Sequence, residues 1–350
     1  MSDFTSYMEL TKNPVRIGVI GLGNMGRHHV RVLSEMPNVV VVAAADPDEE
    51  ARAMVEHARK IRTYADYRQM LENEELEAVT VVVPTSRHFE VTMAAIEHGI
   101  HFLVEKPLAA TVEEALTIRA AVDGTDLIGT VGHIERYNPA VMALKRGLAA
   151  GELGMVFQMR ATRTGPLPNR IRDVGVVVDL ASHDLDIVRH LVGHPVQRIF
   201  AETASRMNSA HEDLFSGIIR FTDGTIALLD VNWLAPLKIR ELVVVGEGGM
   251  YRLDYQSQDL FFYENSFTAE WSNAGRRGVS EGNMVRYRID RREPLRVELE
   301  SFITVIRGGS AHLVSLDDGV AAVELADAVR LSAASNVTVR PAAGEPVRAN

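Results

Sequence analysis

The chain contains no cysteine. That excludes disulfides, a thiol nucleophile and thiolate metal sites together. Only a metal site built from His and carboxylates stays open. No apolar run approaches ~18 residues, so no segment is expected to span a membrane. The opening stretch, MSDFTSYMELTKNP, lacks the basic and apolar regions of a secretory signal, and the expected location is cytoplasmic. Positive charge is also short: 37 Lys and Arg stand against 47 Asp and Glu, a formal charge of −10. An acidic surface repels phosphate backbones, which argues against nucleic-acid and anionic-membrane partners. Internal repeats and low-complexity tracts are absent, and the composition is not that of a collagenous or disordered chain. What is present is 350 residues, 46% of them apolar. At ~100–200 residues per domain this is enough for two domains with their own cores.

The texture changes partway along. The first part alternates continuous apolar runs with helical patterns. The runs are Val15–Ile20, Val39–Ala45, Ala78–Val83, His101–Glu105 and Leu127–Gly132. Strands apolar on both faces fit a parallel sheet covered on both sides. Helices are expected over Met25–Met36, Pro47–Ala58, His88–His98 and Thr111–Val122, the last opening with capping-box spacing at Thr111 and Glu114. This alternation implies right-handed βαβ units and a doubly wound fold. Asn138-Pro139 reads as an N-cap with proline in the first helical position. From Val156 the period becomes two, with a hairpin signal at Thr222-Asp223-Gly224-Thr225. A largely antiparallel sheet is expected there, with one helix inserted over Asp179–Leu191. Residues 264–292 show no clear period and read as a long excursion. The chain divides into a tail (1–14), a Rossmann domain (15–134) and a substrate-binding and oligomerisation domain (135–350). The C-terminal helices, Val297–Arg307 and Asp317–Ala334, are expected to return toward the first domain.

Gly21-Leu-Gly23-Asn-Met-Gly26 follows the first strand and opens the first helix. Asp46 ends the second strand, twenty residues after Gly26. In that context Gly21 permits the turn, Gly23 lets the backbone approach a pyrophosphate, and Gly26 lets the helix pack close. Free N–H groups at the helix start bind the anion without a basic side chain, so an acidic protein can still hold a dinucleotide. The Asp46 carboxylate would accept the ribose hydroxyls and repel a 2′-phosphate. NAD is therefore expected, NADP less so. A flavin fits poorly, because the second half does not resemble a flavoprotein insert.

Two further groups carry chemistry. Glu105-Lys106-Pro107 falls at the carboxyl end of a strand, the edge where open α/β sheets bind ligands. Lys106 could stabilise a developing alkoxide there; the alternative is a solvated turn lysine. Asp179, His183 and Asp186 share one face of the expected helix, with Leu180, Ile187 and Leu191 on another. A His with a carboxylate one turn away suits a general base. The alternatives are a buried structural His beside a helix N-terminal Asp, or a divalent ion on the three residues. No other ligand cluster appears, so no metal is expected.

In combination these motifs resemble the glucose–fructose oxidoreductase/inositol dehydrogenase (Gfo/Idh/MocA) family. The glycine fingerprint, Asp46, Pro84-Thr85 with His88, Glu105-Lys106-Pro107 and Asp179-x-x-x-His183 follow in the family's order. The resemblance runs from about Val15 to Ala334. It implies a Rossmann domain followed by an α/β domain with a large open, mainly antiparallel sheet. It implies NAD(P)-dependent oxidation of a sugar-type hydroxyl, with Lys106, Asp179 and His183 catalytic. It places Gly21, Gly23, Asn24, Met25, Gly26, Asp46, Pro84, Thr85, His88 and Glu105 on the cofactor. A narrower resemblance, to the UDP-N-acetylglucosamine 3-dehydrogenase branch, lies in Gly132–Pro139, Asp173–Asp179, Asn232–Lys238 and Asp254–Leu260. Arg160, Arg163, Arg170 and Arg172 cluster before the catalytic helix, where arginine would suit a diphosphate. Tyr137 and Trp233 could stack on uracil or sugar, or serve packing. The expected substrate is a UDP-sugar, with an inositol, a free sugar or a non-catalytic NAD(P)-binding regulator as alternatives. Ile226, Leu228, Leu229 and Val231 put apolar residues on both faces of one strand, which implies a homo-dimer or homo-tetramer.

Overall fold

A computed structural model describes residues 13–167, 174–207, 211–266, 279–342 and 345–349. They fall into two compact units. One runs up to Ile134 and takes in Glu293–Val323; the other is Glu135–Arg292 with the chain from Glu324 onward.

The first unit is a chain of strand–helix repeats. In order these are β1 (Val15–Ile20), α1 (Asn24–Ser34), β2 (Val39–Ala45), α2 (Glu49–Arg59), β3 (Arg62–Tyr64), α3 (Tyr67–Asn73), β4 (Ala78–Val81), α4 (His88–Glu97), β5 (His101–Glu105), α5 (Val112–Val122) and β6 (Gly129–Gly132). The six strands are parallel, in the order β3-β2-β1-β4-β5-β6. β4 is buried at every position and β1 at all but one, as helices on both faces require. The order reverses between β1 and β4, and ligands of such sheets bind beyond the strand ends at that point. Local signals hold the helices in place. Thr111 and Glu114 form the reciprocal capping box of α5. Asp48 caps α2 by accepting from Glu50 and Ala51 N–H. β3 and α3 are additions to the sequence reading: a three-residue strand is too short to show a period.

The second unit begins with α6 (Pro139–Ala149), capped by Asn138. It continues with β7 (Val156–Pro166), a single π-helical turn (Val177–Ala181), α7 (Ser182–Val192) and β8 (Val196–Ala204). Six strands follow: β9 (Leu214–Phe221), β10 (Ile226–Asn232), β11 (Leu234–Gly246), β12 (Gly249–Asp254), β13 (Asp259–Ser266) and β14 (Ser280–Arg286). With β15 (Val339–Ala342) and β16 (Glu345–Ala349) they form a ten-stranded sheet, β14-β13-β12-β11-β7-β10-β9-β8-β15-β16. Only β7 and β10 pair in parallel. One sheet face carries Met159, Ala161, Phe215, Ile219, Leu242 and Val244, which share a core with Leu185 and Val188 of α7. The expected Asp-Gly hairpin joins β9 to β10, with Gly224 at φ +98°.

The reading of 264–292 as an excursion is corrected in part. β13 runs through 264–266, and Ser280–Arg286 is a strand paired with it. β14 is an edge strand, exposed at nearly every position. Its backbone pairing leaves no burial period to read. Residues 267–278 lie outside the described set.

Two helices complete the described chain, α8 (Pro294–Ile306) and α9 (Leu316–Ser335). Leu295, Leu299, Phe302 and Ile303 of α8 join the core of Val15, Ile17, Val30 and Leu33 in the first unit.

Candidate active site

The glycine loop shows what each glycine is for. Gly21 sits at φ +97°, and a Cβ there would lie 2.3 Å from the Val82 carbonyl oxygen. A Cβ on Gly26 would lie 1.9 Å from the Gly21 oxygen, so the helix packs on the strand only without a side chain. Gly23 is different: a Cβ there would meet nothing within 4 Å. The space above Gly23 is open. Gly23 also gives α1 no side-chain cap, so the first-turn N–H groups, including those of Asn24 and Met25, keep their donors for an anion. The Asp46 carboxylate accepts from Leu22 N–H at 2.6 Å and Asp48 N–H at 2.8 Å. It is thereby fixed beside the loop. These features fit a dinucleotide.

Pro84 and Thr85 enter a short 3₁₀ turn before α4. His88, expected on the cofactor, is 1% exposed. Its ring nitrogens lie 2.6 Å from the Pro107 oxygen and 2.9 Å from the Val83 oxygen. Burial lowers its pKa, and a neutral ring can donate to only one of the two carbonyls. His88 therefore ties the β4 loop to the Glu105-Lys106-Pro107 turn. Glu105 is likewise committed: it lies 3.1 Å from His29 of α1 and accepts from the Lys106 N–H at 3.2 Å. Burial pushes the Glu105 carboxyl up, but the His29 hydrogen bond and charge outweigh that and hold it low. The Lys106–Pro107 peptide is cis, and Lys106 is partly exposed.

Asp179 lies in the π turn and His183 one residue into α7. The π turn widens the spacing that a regular helix would give, and such turns recur at functional sites. Gly175 and Glu212 hold its entry: Val176 N–H donates to the Glu212 carbonyl at 2.9 Å, and Val177 N–H to its carboxylate at 3.3 Å. A Cβ on Gly175 would collide with that carboxylate at 2.0 Å. Asp186 leaves the expected trio. It is 1% exposed and clamps Arg136 through two hydrogen bonds, at 2.8 and 2.5 Å.

The arginine cluster also sorts differently from expectation. Arg163 is buried, donating to Asp184 at 2.6 Å and to Glu135 at 3.0 Å, and it lies over the Tyr255 ring at 5.1 Å. Burial opposes its charge, but the two carboxylates outweigh burial and raise its pKa. This guanidinium closes an internal network and is not offered to a substrate. Arg160 is exposed on the opposite face of β7. Arg170 and Arg172 lie outside the described residues. Tyr137 and Trp233 are 3% and 4% exposed, which makes them packing residues in this structure. His29, Glu135, Glu212, Arg240 and Glu298 escaped the sequence reading. His29, Glu135 and Glu212 meet partners remote along the chain, Arg240 meets Arg163 only through strand pairing, and Glu298 has no hydrogen-bond partner among the described residues, so no spacing announces them.

Residues 15–133 match the family model described as an oxidoreductase family with an NAD-binding Rossmann fold, and 141–252 match the Gfo/Idh/MocA C-terminal domain. The chain belongs to the Gfo/Idh/MocA oxidoreductase family. As such it is a dehydrogenase of CH–OH groups built on an NAD-binding Rossmann domain. The UDP-N-acetylglucosamine 3-dehydrogenase of Acidithiobacillus ferrooxidans is 29% identical over 308 residues, 88% of this chain and 92% of that protein. Inositol 2-dehydrogenase 2 of Saccharopolyspora erythraea is 26% identical over 331 residues, 93% of this chain and 94% of that one. A solved structure of the first enzyme matches with a TM-score of 0.80 and 26% identity, covering 91% of this chain and 98% of that one. Among the described residues no helix is long and apolar enough to cross a membrane.

Proposed function

We propose that this Gfo/Idh/MocA enzyme oxidises the 3-hydroxyl of UDP-N-acetylglucosamine, or of a related UDP-sugar, to a 3-keto sugar with NAD. The observation that carries the reading is the pairing of an intact dinucleotide loop with an intact Asp179–His183 turn in a chain similar, over 88% of its length, to a UDP-N-acetylglucosamine 3-dehydrogenase. Bound NAD supplies the hydride acceptor. The chain's residues do the rest. The Gly21–Gly26 backbone and α1 N–H groups hold the diphosphate. Asp46, already fixed by Leu22 and Asp48, accepts the ribose hydroxyls and disfavours a 2′-phosphate, which makes NAD the preferred cofactor. His183 takes the proton of the reacting hydroxyl, and Asp179 offsets the imidazolium charge. Lys106, the third residue that the family resemblance makes catalytic, would stabilise developing alkoxide character.

The second reading is an inositol dehydrogenase, favoured by the 26% identity to inositol 2-dehydrogenase 2. A thermal-shift assay separates the two. Protection by a uridine nucleotide and none by inositol supports the first; the reverse supports the second.

We also propose a homo-oligomer that packs through the outer face of the ten-stranded sheet. Phe200, Ile218 and Leu228 stand in register across β8, β9 and β10 on that face. Phe200 and Ile218 are 37% and 49% exposed. A flat apolar row of this kind is characteristic of subunit packing. Sedimentation showing only monomer at micromolar concentration contradicts it.

A further inference from the structure

The UDP-sugar reading needs a cation for an anionic substrate, and Arg163 is committed elsewhere. The register of the second unit supplies another. Arg240 on β11 stands directly opposite Arg163 on β7, so the two side chains share the face that packs on α7. Like charges placed directly opposite destabilise a strand pair. Arg163 answers its charge with Asp184 and Glu135. Arg240 has no such answer. Among the described residues its hydrogen bonds run from Nη1 alone, to the Thr164 carbonyl at 2.6 Å and the Ile239 carbonyl at 2.9 Å. No carboxylate lies within ion-pair distance of it among those residues. It is nonetheless partly buried. Burial lowers its pKa, the Arg163 charge adds to that, and Asp184, Glu135 and Asp179 pull the other way. Arg163 donates to Asp184, the residue after His183, so the strand pairing that sets Arg240 opposite Arg163 places it on the side of the sheet that carries the start of α7.

We propose that Arg240 is the residue that receives an oxyanion of the substrate beside the Asp179–His183 turn. The oxyanion is the diphosphate of a nucleotide sugar or the carboxylate of a sugar acid. Two carbonyls fix Nη1, which leaves Nε and Nη2 as a preoriented fork. A fork of this kind matches a phosphate or carboxylate through two parallel hydrogen bonds. Because its geometry is set in advance, little freedom is lost on binding. A carboxylate partner would occupy the fork, as Asp184 occupies Nε of Arg163. The arrangement keeps it open at the cost of a partly buried, unanswered charge. The inference rests on the reading of Asp179 and His183 as the catalytic pair.

The test is steady-state kinetics of wild type, Arg240→Gln and Arg240→Lys with UDP-N-acetylglucosamine, D-glucuronate and myo-inositol, NAD being saturating. Charge-assisted hydrogen bonds of this type are worth roughly 10–100-fold. The expected result is that Arg240→Gln lowers kcat/KM for an anionic substrate, relative to myo-inositol, by about that factor, mainly through KM. Arg240→Lys, which keeps the charge and loses the fork, falls between. A change confined to UDP-N-acetylglucosamine assigns the site to phosphate, and one confined to glucuronate assigns it to carboxylate. An equal loss on all three substrates makes Arg240 structural and overturns the proposal. Wild-type turnover of myo-inositol alone also overturns it, while leaving the His183 chemistry standing. The His183 chemistry is read separately, from the loss of turnover in His183→Ala. Should Arg240→Gln fail to fold, the affinities of Arg240→Lys for UDP and for D-glucuronate decide: both unchanged from wild type, they overturn the proposal.

Discussion

Glu298 offers the sharpest test of the forces inside the first unit. It sits on α8, is 1% exposed, and neither carboxyl oxygen has a hydrogen-bond partner among the described residues. Burial raises its pKa well above the ordinary carboxyl range, and the Glu105 carboxylate raises it further. The acid is therefore carried protonated. A buried polar group without a partner costs about 1–3 kcal/mol. Replacing Glu298 by Met, of similar length and apolar, should stabilise the protein by roughly that amount. For a unit of this size the transition would move up by about 2–4 °C per kcal/mol. The pH dependence follows from linkage. In the unfolded chain Glu298 titrates near ~4.3, and in the folded chain above that. The folded state thus holds a proton that the unfolded state has released. Stability is fully present below the unfolded pKa and is lost as pH rises through the folded one, at a slope of about 1.4 kcal/mol per pH unit within that window. Glu298→Gln removes the titration and keeps the shape. Differential scanning fluorimetry from pH 5 to pH 9 should show the wild-type transition falling toward alkaline pH relative to Glu298→Gln. Parallel curves for the two proteins, or a large destabilisation in Glu298→Met, would refute the reasoning.

Other outcomes follow from the geometry. Gly23→Ala should fold normally and raise KM for NAD by roughly an order of magnitude, since its Cβ enters only open space needed by the pyrophosphate; Gly26→Ala should lower the melting temperature as well, because its Cβ overlaps the Gly21 oxygen. Asp46→Ala should narrow the NAD-over-NADP preference, read as the ratio of the two kcat/KM values; an unaltered ratio counts against its ribose role. His183→Ala should lower kcat by about 10²–10⁴-fold while leaving NAD affinity nearly intact in a fluorescence titration. Arg163→Leu should destabilise by about 3–5 kcal/mol in chemical denaturation, because buried Asp184 would lose its ion-pair partner and part-buried Glu135 would lose its own.

The legible parts of this molecule are the ones whose physics is local. Gly21 is set by its positive φ, Gly26 by its contact with the Gly21 oxygen and Gly23 by the open space above it, so a six-residue pattern describes them. The capping box at Thr111 and the Asn138-Pro139 start are local in the same sense. The parallel core announced itself through strands buried on both faces. The fate of Arg163 was not legible. Its partners lie 21 and 28 residues away, and Asp184 comes under it only through the packing of α7 on the sheet. Arg240 escaped for the same reason, since only the β7–β11 pairing places it opposite Arg163. His88 looked like a ligand contact because it follows the Pro84-Thr85 turn, but the Pro107 carbonyl that orients it comes from another strand end. The π turn was hidden too. It alters the spacing of Asp179 and His183 without changing any residue type, so a count of four suggested a regular helix.

We propose NAD-dependent oxidation of a UDP-sugar by this Gfo/Idh/MocA enzyme. The most direct measurement is NADH formation on mixing the purified protein and NAD with UDP-N-acetylglucosamine, other UDP-sugars, inositols and free hexoses in parallel. NADH is expected with UDP-N-acetylglucosamine, at a higher kcat/KM than with any inositol or hexose, and about 10²–10⁴-fold more slowly with His183→Ala. NADH formed from an inositol or a free sugar, with no response to any UDP-sugar, would contradict it.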